Sequence, residues 1–186
     1  MYKDESLKKY LDDLAAKLPA PGGGSAAALN AALAAALVSM VANFTLGRPK
    51  YARFEADVKK IMASSEKLRK EFLDLVDLDV KAYRSKNLRE SLNIPFMTAR
   101  LCFEGIKLCL PLVTKGNINL ISDCGAAAAL FEGAFSGAYF SVDINLKLLG
   151  DKRLAKQVRK ELDQKAKIIK KLRAQTEAKV GKIIRG

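Results

Sequence analysis

Histidine and tryptophan are absent from the 186-residue chain. Without histidine, the chain cannot build a Ser-His-Asp or Cys-His nucleophile system, or a zinc or iron site with histidine ligands. Only three cysteines are present, none of them in a CxxC pair. Cys102 and Cys109 would lie about 10 Å apart on a helix, which is too far for a disulfide. Any catalysis therefore depends on carboxylates, lysine, tyrosine, cysteine or helix ends, and the cysteine usage favours a reduced, cytoplasmic protein.

Strand-like alternation is also scarce, and nearly every segment repeats its apolar residues with the helical period. Prolines, glycines and short polar breaks divide the chain into six helical segments. We expect the fourth helix to begin at Pro95 after a cap at Asn93 and to be kinked at Pro111. No repeat or flexible linker interrupts the pattern. The sequence therefore predicts one all-α domain over residues 1–186, an up-down-type bundle of five to six helices.

Residues 26–46 form an uncharged run long enough to cross a membrane. Alanine dominates this run, polar residues interrupt it, and its bulky side chains fall on one stripe. We interpret it as a core helix with one large-residue face and one small-residue face, and a membrane span is the alternative. The charged N-terminal segment predicts no secretory signal.

Small residues are concentrated in the fifth helical segment, where Gly133 and Gly137 lie one turn apart. Glycine inside a helix costs about 1 kcal/mol relative to alanine, so these positions need a reason. Close packing against the alanine-rich second helix is the simpler explanation. A slot for a flat ligand is compatible with it.

Two aspartates fall on the inward faces of their helices. Asp79 lies on the apolar seam of the third helix, whereas Asp77 falls on its outer face. Asp123 lies in line with Leu130 and Gly137 of the fifth helix. Buried carboxylates need hydrogen bonds, a raised pKa or a wet cavity. The two aspartates are therefore either structural hydrogen-bonding groups or an acid/base pair that lines one pocket.

A glycine turn opens the second helix, with Ser25 as the expected N-cap. The free N–H groups of Gly22, Gly23 and Gly24 would attract an anion or developing negative charge at the positive end of the helix dipole. Helix entry alone would also explain such a turn. It is not a P-loop, because no Gly-Lys-Ser/Thr follows it.

Positive charge is concentrated near the C-terminus. The net charge is +13, and the residues from Asp151 onward contain 13 Lys and Arg against four Asp and Glu. We interpret this segment as a solvated outer helix, or as one whose field attracts a small polyanion. A non-catalytic module that binds nucleic acid or an acidic protein is the alternative function. Nucleic acid is the less favoured partner, because the positive charges surround the helix and no reading motif is present.

Several motifs together resemble the cyclodeaminase/cyclohydrolase family. That family includes the C-terminal half of formiminotransferase-cyclodeaminase and stand-alone methenyltetrahydrofolate cyclohydrolases. The resemblance covers residues 19–149 and is strongest in the PGGGS and GNINLISD segments. The motifs, in chain order, are APGGGSAAA (20–28), MVA (40–42), LVDLD (75–79), IP (94–95), GNINLISD (116–123), GAYF (137–140) and INL (144–146).

The resemblance implies an all-helical homodimer that acts on a tetrahydrofolate derivative, with or without a polyglutamate tail, and that needs no metal and no cofactor beyond this substrate. It implies catalysis by Asp79, the second aspartate of the LVDLD segment. We expect Asp123 to orient water or a substrate nitrogen. We expect the glycine turn Gly22, Gly23, Gly24 and Ser25 to bind an anionic group, and Arg48, Lys50 or the basic last helix to attract the glutamate tail. The expected pterin contacts are Asn119, Tyr139 and Asn145.

Overall fold

The computed structural model describes all residues, 1–186, and contains helices and no strands. A short 3-10 turn at Tyr2–Asp4 precedes the first α-helix, and two others, at Pro49–Phe54 and Ile118–Leu120, join consecutive helices. The predicted all-α class is confirmed. The six α-helices are α1 Leu7–Ala15, α2 Gly23–Asn43, α3 Glu55–Arg84, α4 Leu88–Lys115, α5 Ile121–Leu149 and α6 Lys152–Arg185.

Helix α2 lies in the middle of the bundle and packs against α3, α4 and α5, while α6 covers α4 and α5. One continuous cluster of 34 buried residues forms the core. The rings of Phe72 and Phe131 meet there, with their centroids 6.2 Å apart. This packing fixes the start of α2 against the last turns of α3 and the C-terminal half of α5, where the candidate site lies.

The contact between α2 and α5 depends on small residues. A Cβ on Gly137 would lie 3.4 Å from the Cβ of Ala27, and one on Gly133 would lie 3.4 Å from Nδ2 of Asn30. The Asn30 side chain donates a hydrogen bond to the carbonyl of Leu130 at 3.2 Å. The small residues thus allow the two backbones to approach closely, which is the simpler of the two explanations considered above.

Helix α2 begins at Gly23, and its N-cap is Gly22 rather than Ser25. The prediction of Ser25 as the N-cap is wrong, because its hydroxyl points into the bundle. It donates to the carbonyl of Val76 at 3.0 Å and lies 3.1 Å from the hydroxyl of Tyr10. The Ser25 side chain therefore ties α2 to α3 and α1.

Helix α4 begins at Leu88, seven residues before the predicted start at Pro95. The side chain of Asn87 caps it by accepting from the N–H groups of Arg89 and Glu90. Pro95 has no N–H to donate to the carbonyl of Ser91 one turn earlier. The prediction of a helix start at Pro95 is wrong because a side chain from another helix supplies the missing donor, as described below.

Two helical segments, Gly23–Asn43 and Ile118–Leu149, are long and apolar enough to cross a membrane by length and composition alone. In the first, 61% of the most apolar window is buried inside the bundle. This burial is what a core helix requires, and it agrees with the interpretation of residues 26–46.

Candidate active site

Asp79 lies at the bottom of a cleft between the start of α2, the end of α3 and the last turns of α5. The cleft has a volume of about 270 Å³. A wider cavity of about 530 Å³ continues from it toward the surface. The inner cleft is lined by Pro19, Ala20, Gly22, Gly23, Gly24, Asp79, Tyr83, Ser91, Ser141, Ile144, Asn145 and Leu148.

The carboxylate of Asp79 packs directly on the first turn of α2. A Cβ on Gly24 would lie 2.2 Å from Oδ1 of Asp79 and 2.8 Å from its Cγ, so no side chain fits at Gly24. The neighbouring Gly23 has room, since a Cβ there would lie 3.8 Å from Oγ of Ser141. The glycine turn thus serves to bring a carboxylate onto the positive end of a helix dipole.

Burial raises the pKa of the Asp79 carboxyl from 3.8 to about 6, and a hydrogen bond from the backbone N–H of Ser25 partly opposes this rise. Loss of hydration therefore outweighs the helix N-terminus. A carboxyl group with a pKa near 6 exists in both protonation states close to neutral pH. This allows it to accept a proton and return it within one reaction.

Asn145 forms one wall of the cleft. Its Nδ2 donates to the carbonyl of Ser91 at 2.7 Å and to that of Ser141 at 2.8 Å. The first bond satisfies the acceptor that Pro95 leaves without its helical donor. Because both N–H groups of the amide are engaged, Oδ1 is the atom of Asn145 left to accept a hydrogen bond from a bound molecule.

The outer cavity adds two cations to the site. Arg84 and Lys86 line it together with Tyr83, and all three side chains are exposed. None of the three was predicted from the sequence. Helical spacing could have predicted Tyr83, which follows Asp79 by four residues on α3 and therefore lies on the same face. Spacing could not have predicted Arg84 and Lys86, since they lie where the helix ends.

Asp123 lies at the opposite end of α5, in its first turn, and is partly exposed. It precedes Ser141 by 18 residues on one continuous helix, which corresponds to about 27 Å. The prediction that Asp79 and Asp123 line one pocket is therefore wrong within a single chain. The helical period predicts on which face of its helix each aspartate lies, but not where it lies along the long axis of the bundle.

Three further predicted residues lie at this distant end. Arg48 and Lys50 follow the C-terminus of α2, and Asn119 precedes α5; all three are exposed. The hydroxyl of Tyr51 accepts a hydrogen bond from the N–H of Ile118 at 3.0 Å, so the two segments are in contact. The structure thus groups Arg48, Lys50 and Asn119 near Asp123 and away from the cleft.

Tyr139 does not belong to the cleft. Its hydroxyl donates to Oδ1 of Asp163 on α6 at 2.8 Å. Burial, followed by this hydrogen bond to a carboxylate, raises the pKa of Tyr139 above its usual value. The prediction of a pterin contact at Tyr139 is wrong within one chain, because its side of α5 faces α6.

Asp77 is buried, although it was predicted on the outer face of α3. Its carboxylate accepts from the backbone N–H of Tyr2 at 2.7 Å and from that of Lys3 at 3.4 Å. The N-terminal turn covers this part of α3, which the helical period of α3 alone does not reveal.

An all-helical bundle in which a carboxylate of raised pKa meets a helix N-terminus in a cleft defines a candidate acid/base enzyme. Residues 6–86 and 84–164 match the family model described as formiminotransferase-cyclodeaminase. The chain belongs to this family.

Named relatives support this family assignment, and each of them matches most of the chain. A methenyltetrahydrofolate cyclohydrolase of Methylorubrum extorquens is 36% identical over 186 residues, covering 88% of this chain and 89% of the relative. The formimidoyltransferase-cyclodeaminase of Rattus norvegicus is 30% identical, covering 80% of this chain but 32% of that longer protein. A crystal structure of formiminotetrahydrofolate cyclodeaminase from Thermotoga maritima superimposes with a TM-score of 0.93 at 28% identity, covering 99% of this chain and 100% of that one.

Proposed function

We propose that the protein is a folate one-carbon enzyme that acts on the carbon between the two bridging nitrogens of tetrahydrofolate. Its relatives are named for two such activities, cyclohydrolase and cyclodeaminase. The observation that carries the proposal is the position of Asp79, whose carboxylate lies in a cleft on the first turn of α2. Both reactions need proton transfer at a tetrahedral intermediate, which one such carboxyl group can provide.

Hydrolysis of the methenyl form is the favoured reaction. The stand-alone cyclohydrolase relative has the higher identity, 36%, and matches this chain over almost its full length. Deamination of the formimino form is the second candidate, and the TM-score of 0.93 with a cyclodeaminase supports it. Both substrates place the same carbon in the cleft, so the two reactions differ in the nucleophile and the leaving group.

In the hydrolytic reaction, ionised Asp79 takes a proton from a water molecule as its oxygen bonds to the amidinium carbon. The resulting tetrahedral intermediate carries the new hydroxyl group and both folate nitrogens. Asp79 then returns the proton to the departing nitrogen as its bond to carbon breaks. The hydroxyl group releases its own proton to solvent as the C=O bond forms, which leaves a formyl group on the other nitrogen. The pKa of about 6 suits both steps, because it lies close to the pH at which the enzyme would work.

The remaining cleft residues orient the substrate. Oδ1 of Asn145 can accept a hydrogen bond from a pterin N–H, since its Nδ2 is engaged with two carbonyls. Arg84 and Lys86, at the wider outer cavity, are placed to attract the carboxylates of the glutamate tail. We assign them this role in place of Arg48 and Lys50 of the same chain, which lie near the other end of α2.

The basic helix α6 is assigned a structural role. Two of its cations pair with acidic residues of α5, Arg159 with Asp143 at 2.7 Å and Arg173 with Glu132 at 2.8 Å. These pairs hold α6 against α5. Family membership favours the enzyme over the non-catalytic, polyanion-binding alternative.

We further propose that the enzyme is a homodimer in a reducing, cytoplasmic compartment. All three cysteines are free and buried, which suits such a compartment. The outward faces of α2 and α5 expose large apolar side chains such as Leu33, Phe44 and Phe140. An apolar surface of this kind is typical of a protein interface.

The test is to incubate the purified protein with methenyltetrahydrofolate and follow the loss of its absorbance, beside an ammonia-release assay on formiminotetrahydrofolate. We expect turnover in the first assay that disappears in Asp79→Asn. Asp74→Asn is the matched control, because Asp74 lies on the same helix with its side chain exposed and paired to Lys3. Turnover in neither assay, together with salt-dependent binding to DNA, would instead support the non-catalytic alternative.

A further inference from the structure

Helix α1 has one fully buried side chain. Tyr10 is the only buried residue of this short helix and is 3% exposed, whereas Leu7 and Leu11 are 64% and 50% exposed. The ring of Tyr2, in the N-terminal turn, packs edge-on against the Tyr10 ring, with the two centroids 5.3 Å apart. Tyr10 thus connects the N-terminal turn and α1 to the interior of the bundle.

The hydroxyl of Tyr10 is hydrogen-bonded to a serine at the start of α2. It lies 3.1 Å from Oγ of Ser25, which is itself fully buried. The Ser25 hydroxyl donates to the carbonyl of Val76 on α3 at 3.0 Å. Because a serine hydroxyl has one proton to give, the Tyr10 hydroxyl is the donor in the bond between the two side chains. The side chain of Ser25 is therefore fixed to both α1 and α3.

The backbone of Ser25 contacts Asp79. The first hydrogen bond within α2 runs from the N–H of Ala26 to the carbonyl of Gly22 at 2.9 Å, so the N–H of Ser25 has no partner in its own helix. It donates to the Asp79 carboxylate instead. The same carboxylate packs so closely on Gly24 that no Cβ fits there. Any movement of this turn therefore changes the surroundings of the carboxylate directly.

Few groups near Asp79 can titrate. Tyr83 lines the same cleft, and Arg84 and Lys86 line the outer cavity, whereas α2, α4 and α5 contribute no titratable side chain to the cleft. Tyr10 approaches from α1 and does not line the cleft. Burial raises the pKa of the Tyr10 hydroxyl, and the negative charge of Asp79 adds to that rise. Tyr10 is therefore a neutral hydrogen-bond donor near neutral pH.

We propose that Tyr10 is a positioning residue for Asp79, because its hydroxyl, through Oγ of Ser25, holds the Ser25 N–H against the carboxylate that transfers the proton. This inference rests on the proposed function and adds a residue that does not touch the substrate. Without the Tyr10 hydroxyl, the start of α2 can shift, and the hydrogen bond that favours ionised Asp79 weakens. The pKa of Asp79 then rises further. The bond from Ser25 to Val76 remains, so the effect is moderate.

Tyr10→Phe tests this role, because it removes the hydroxyl and keeps the ring against Tyr2. The pKa of Asp79 is measured by NMR titration of protein with isotope-labelled aspartate carboxyl groups, and Asp79→Asn identifies the signal. We expect this pKa to rise by about half to one unit. Tyr2→Phe is the matched control, since the Tyr2 hydroxyl donates to Asp13 at 2.8 Å, and it should leave the Asp79 pKa unchanged. An unchanged Asp79 pKa in folded Tyr10→Phe would overturn the proposal.

Ser25→Ala reaches the same contact from the other side, because it removes the partner through which Tyr10 acts. It should also raise the pKa of Asp79. In this background the change from Tyr10 to Phe should add nothing, since Tyr10 is hydrogen-bonded to the turn through Ser25 Oγ. If the two single shifts instead add in full in the double variant, Tyr10 acts on Asp79 by another route and the proposal is wrong.

The pH profile of kcat/KM supplies the functional readout. For methenyltetrahydrofolate hydrolysis we expect kcat/KM of Tyr10→Phe to be about two to five times lower than that of the wild type at pH 6 and nearly equal to it at pH 8, where Asp79 is ionised in both proteins. An equal loss at both pH values would indicate a merely structural role and contradict the proposal. A wild-type protein that turns over neither folate substrate, together with the expected NMR shift, would refute the proposed function and leave the positioning role intact.

Discussion

Asp77 and Asp79 lie two residues apart on α3, and both are drawn into the bundle, yet their surroundings differ. Asp77 is 3% exposed and accepts hydrogen bonds from two backbone N–H groups of the N-terminal turn. Asp79 lies beside a cleft, over a glycine, and has the Ser25 N–H as its one backbone donor. Burial alone therefore does not mark a reactive carboxylate.

The two carboxylates differ in the hydrogen bonds that they accept from the backbone. At Asp79 the loss of hydration outweighs the hydrogen bond from Ser25, so the pKa of this carboxyl group rises to about 6. The adjoining cleft gives the same carboxylate access to a substrate. Asp77 also lines a cavity, but its two carboxylate oxygens accept from the backbone N–H groups of Tyr2 and Lys3, and it holds the N-terminal turn in place. One is suited to proton transfer and the other to structure, and substitutions at the two positions should have different consequences.

The largest expected effect is the loss of activity in Asp79→Asn. The amide preserves the shape of the side chain but cannot take a proton from water, so we expect kcat to fall by a factor of about 100 to 10,000. Steady-state assays of both folate substrates measure this. Far-ultraviolet circular dichroism should be unchanged, and a variant with native activity would remove Asp79 from the mechanism.

The second effect concerns the contact between Asp79 and the glycine turn. The Cβ of Gly24→Ala would overlap Oδ1 of Asp79. We expect the carboxylate to move by about 1 Å and the rate to fall about a hundredfold. Gly23→Ala is the control, since its Cβ finds ordinary contact distance. Equal activities of the two variants would show that the close contact has no role.

The two aspartates should also differ in the sign of their effect on stability. The folded-state pKa of Asp79 lies above its unfolded value of 3.8, so ionisation above pH 4 costs stability, and this cost is complete above about pH 6. We therefore expect Asp79→Asn to raise the free energy of unfolding at pH 8 by up to about 3 kcal/mol and to change it little at pH 4. Urea denaturation at the two pH values measures this difference.

Asp77→Asn should be less stable than the wild type. Its amide can accept from one N–H but presents an NH2 group to the other, so we expect a loss of about 1–3 kcal/mol. Activity per folded molecule should be retained. If Asp77→Asn were instead inactive while fully folded, the division of roles between the two aspartates would be wrong.

The smallest effect is expected at the outer cavity. Replacing Arg84 by Ala should raise KM for a polyglutamylated substrate about threefold, with little change in kcat, because the cation is exposed. The matched control is Lys160→Ala, which removes an exposed lysine of α6. A larger effect of the α6 variant would place the glutamate tail on that helix.

The fold followed closely from the sequence because its signals are local. The helical period and the Gly150-Asp151 break separate the fifth helical segment from the sixth, and the structure ends α5 at Leu149 and begins α6 at Lys152. Pro95 was misleading because the donor that compensates for its missing N–H comes from Asn145, 50 residues away. No local rule contains that information.

The candidate site was predicted in part. Asp79 and the glycine turn were identified, since one lies on an apolar seam and the other has a composition typical of a helix entry. The structure shows that the side chain of Ser25 serves packing and that Asp123 and Tyr139 lie outside the cleft of their own chain. Local periodicity predicts which face of a helix a residue occupies, whereas tertiary packing determines its position along the bundle and the residues that it contacts.

The most direct measurement of the central claim is the pH dependence of kcat/KM for methenyltetrahydrofolate hydrolysis, corrected for the uncatalysed rate. Because Asp79 must be ionised to accept the first proton, we predict that kcat/KM rises with pH through an apparent pKa near 6 and that this rise is absent from the residual activity of Asp79→Asn. A profile that is flat through pH 6, or one that keeps the same rise in Asp79→Asn, would contradict the account.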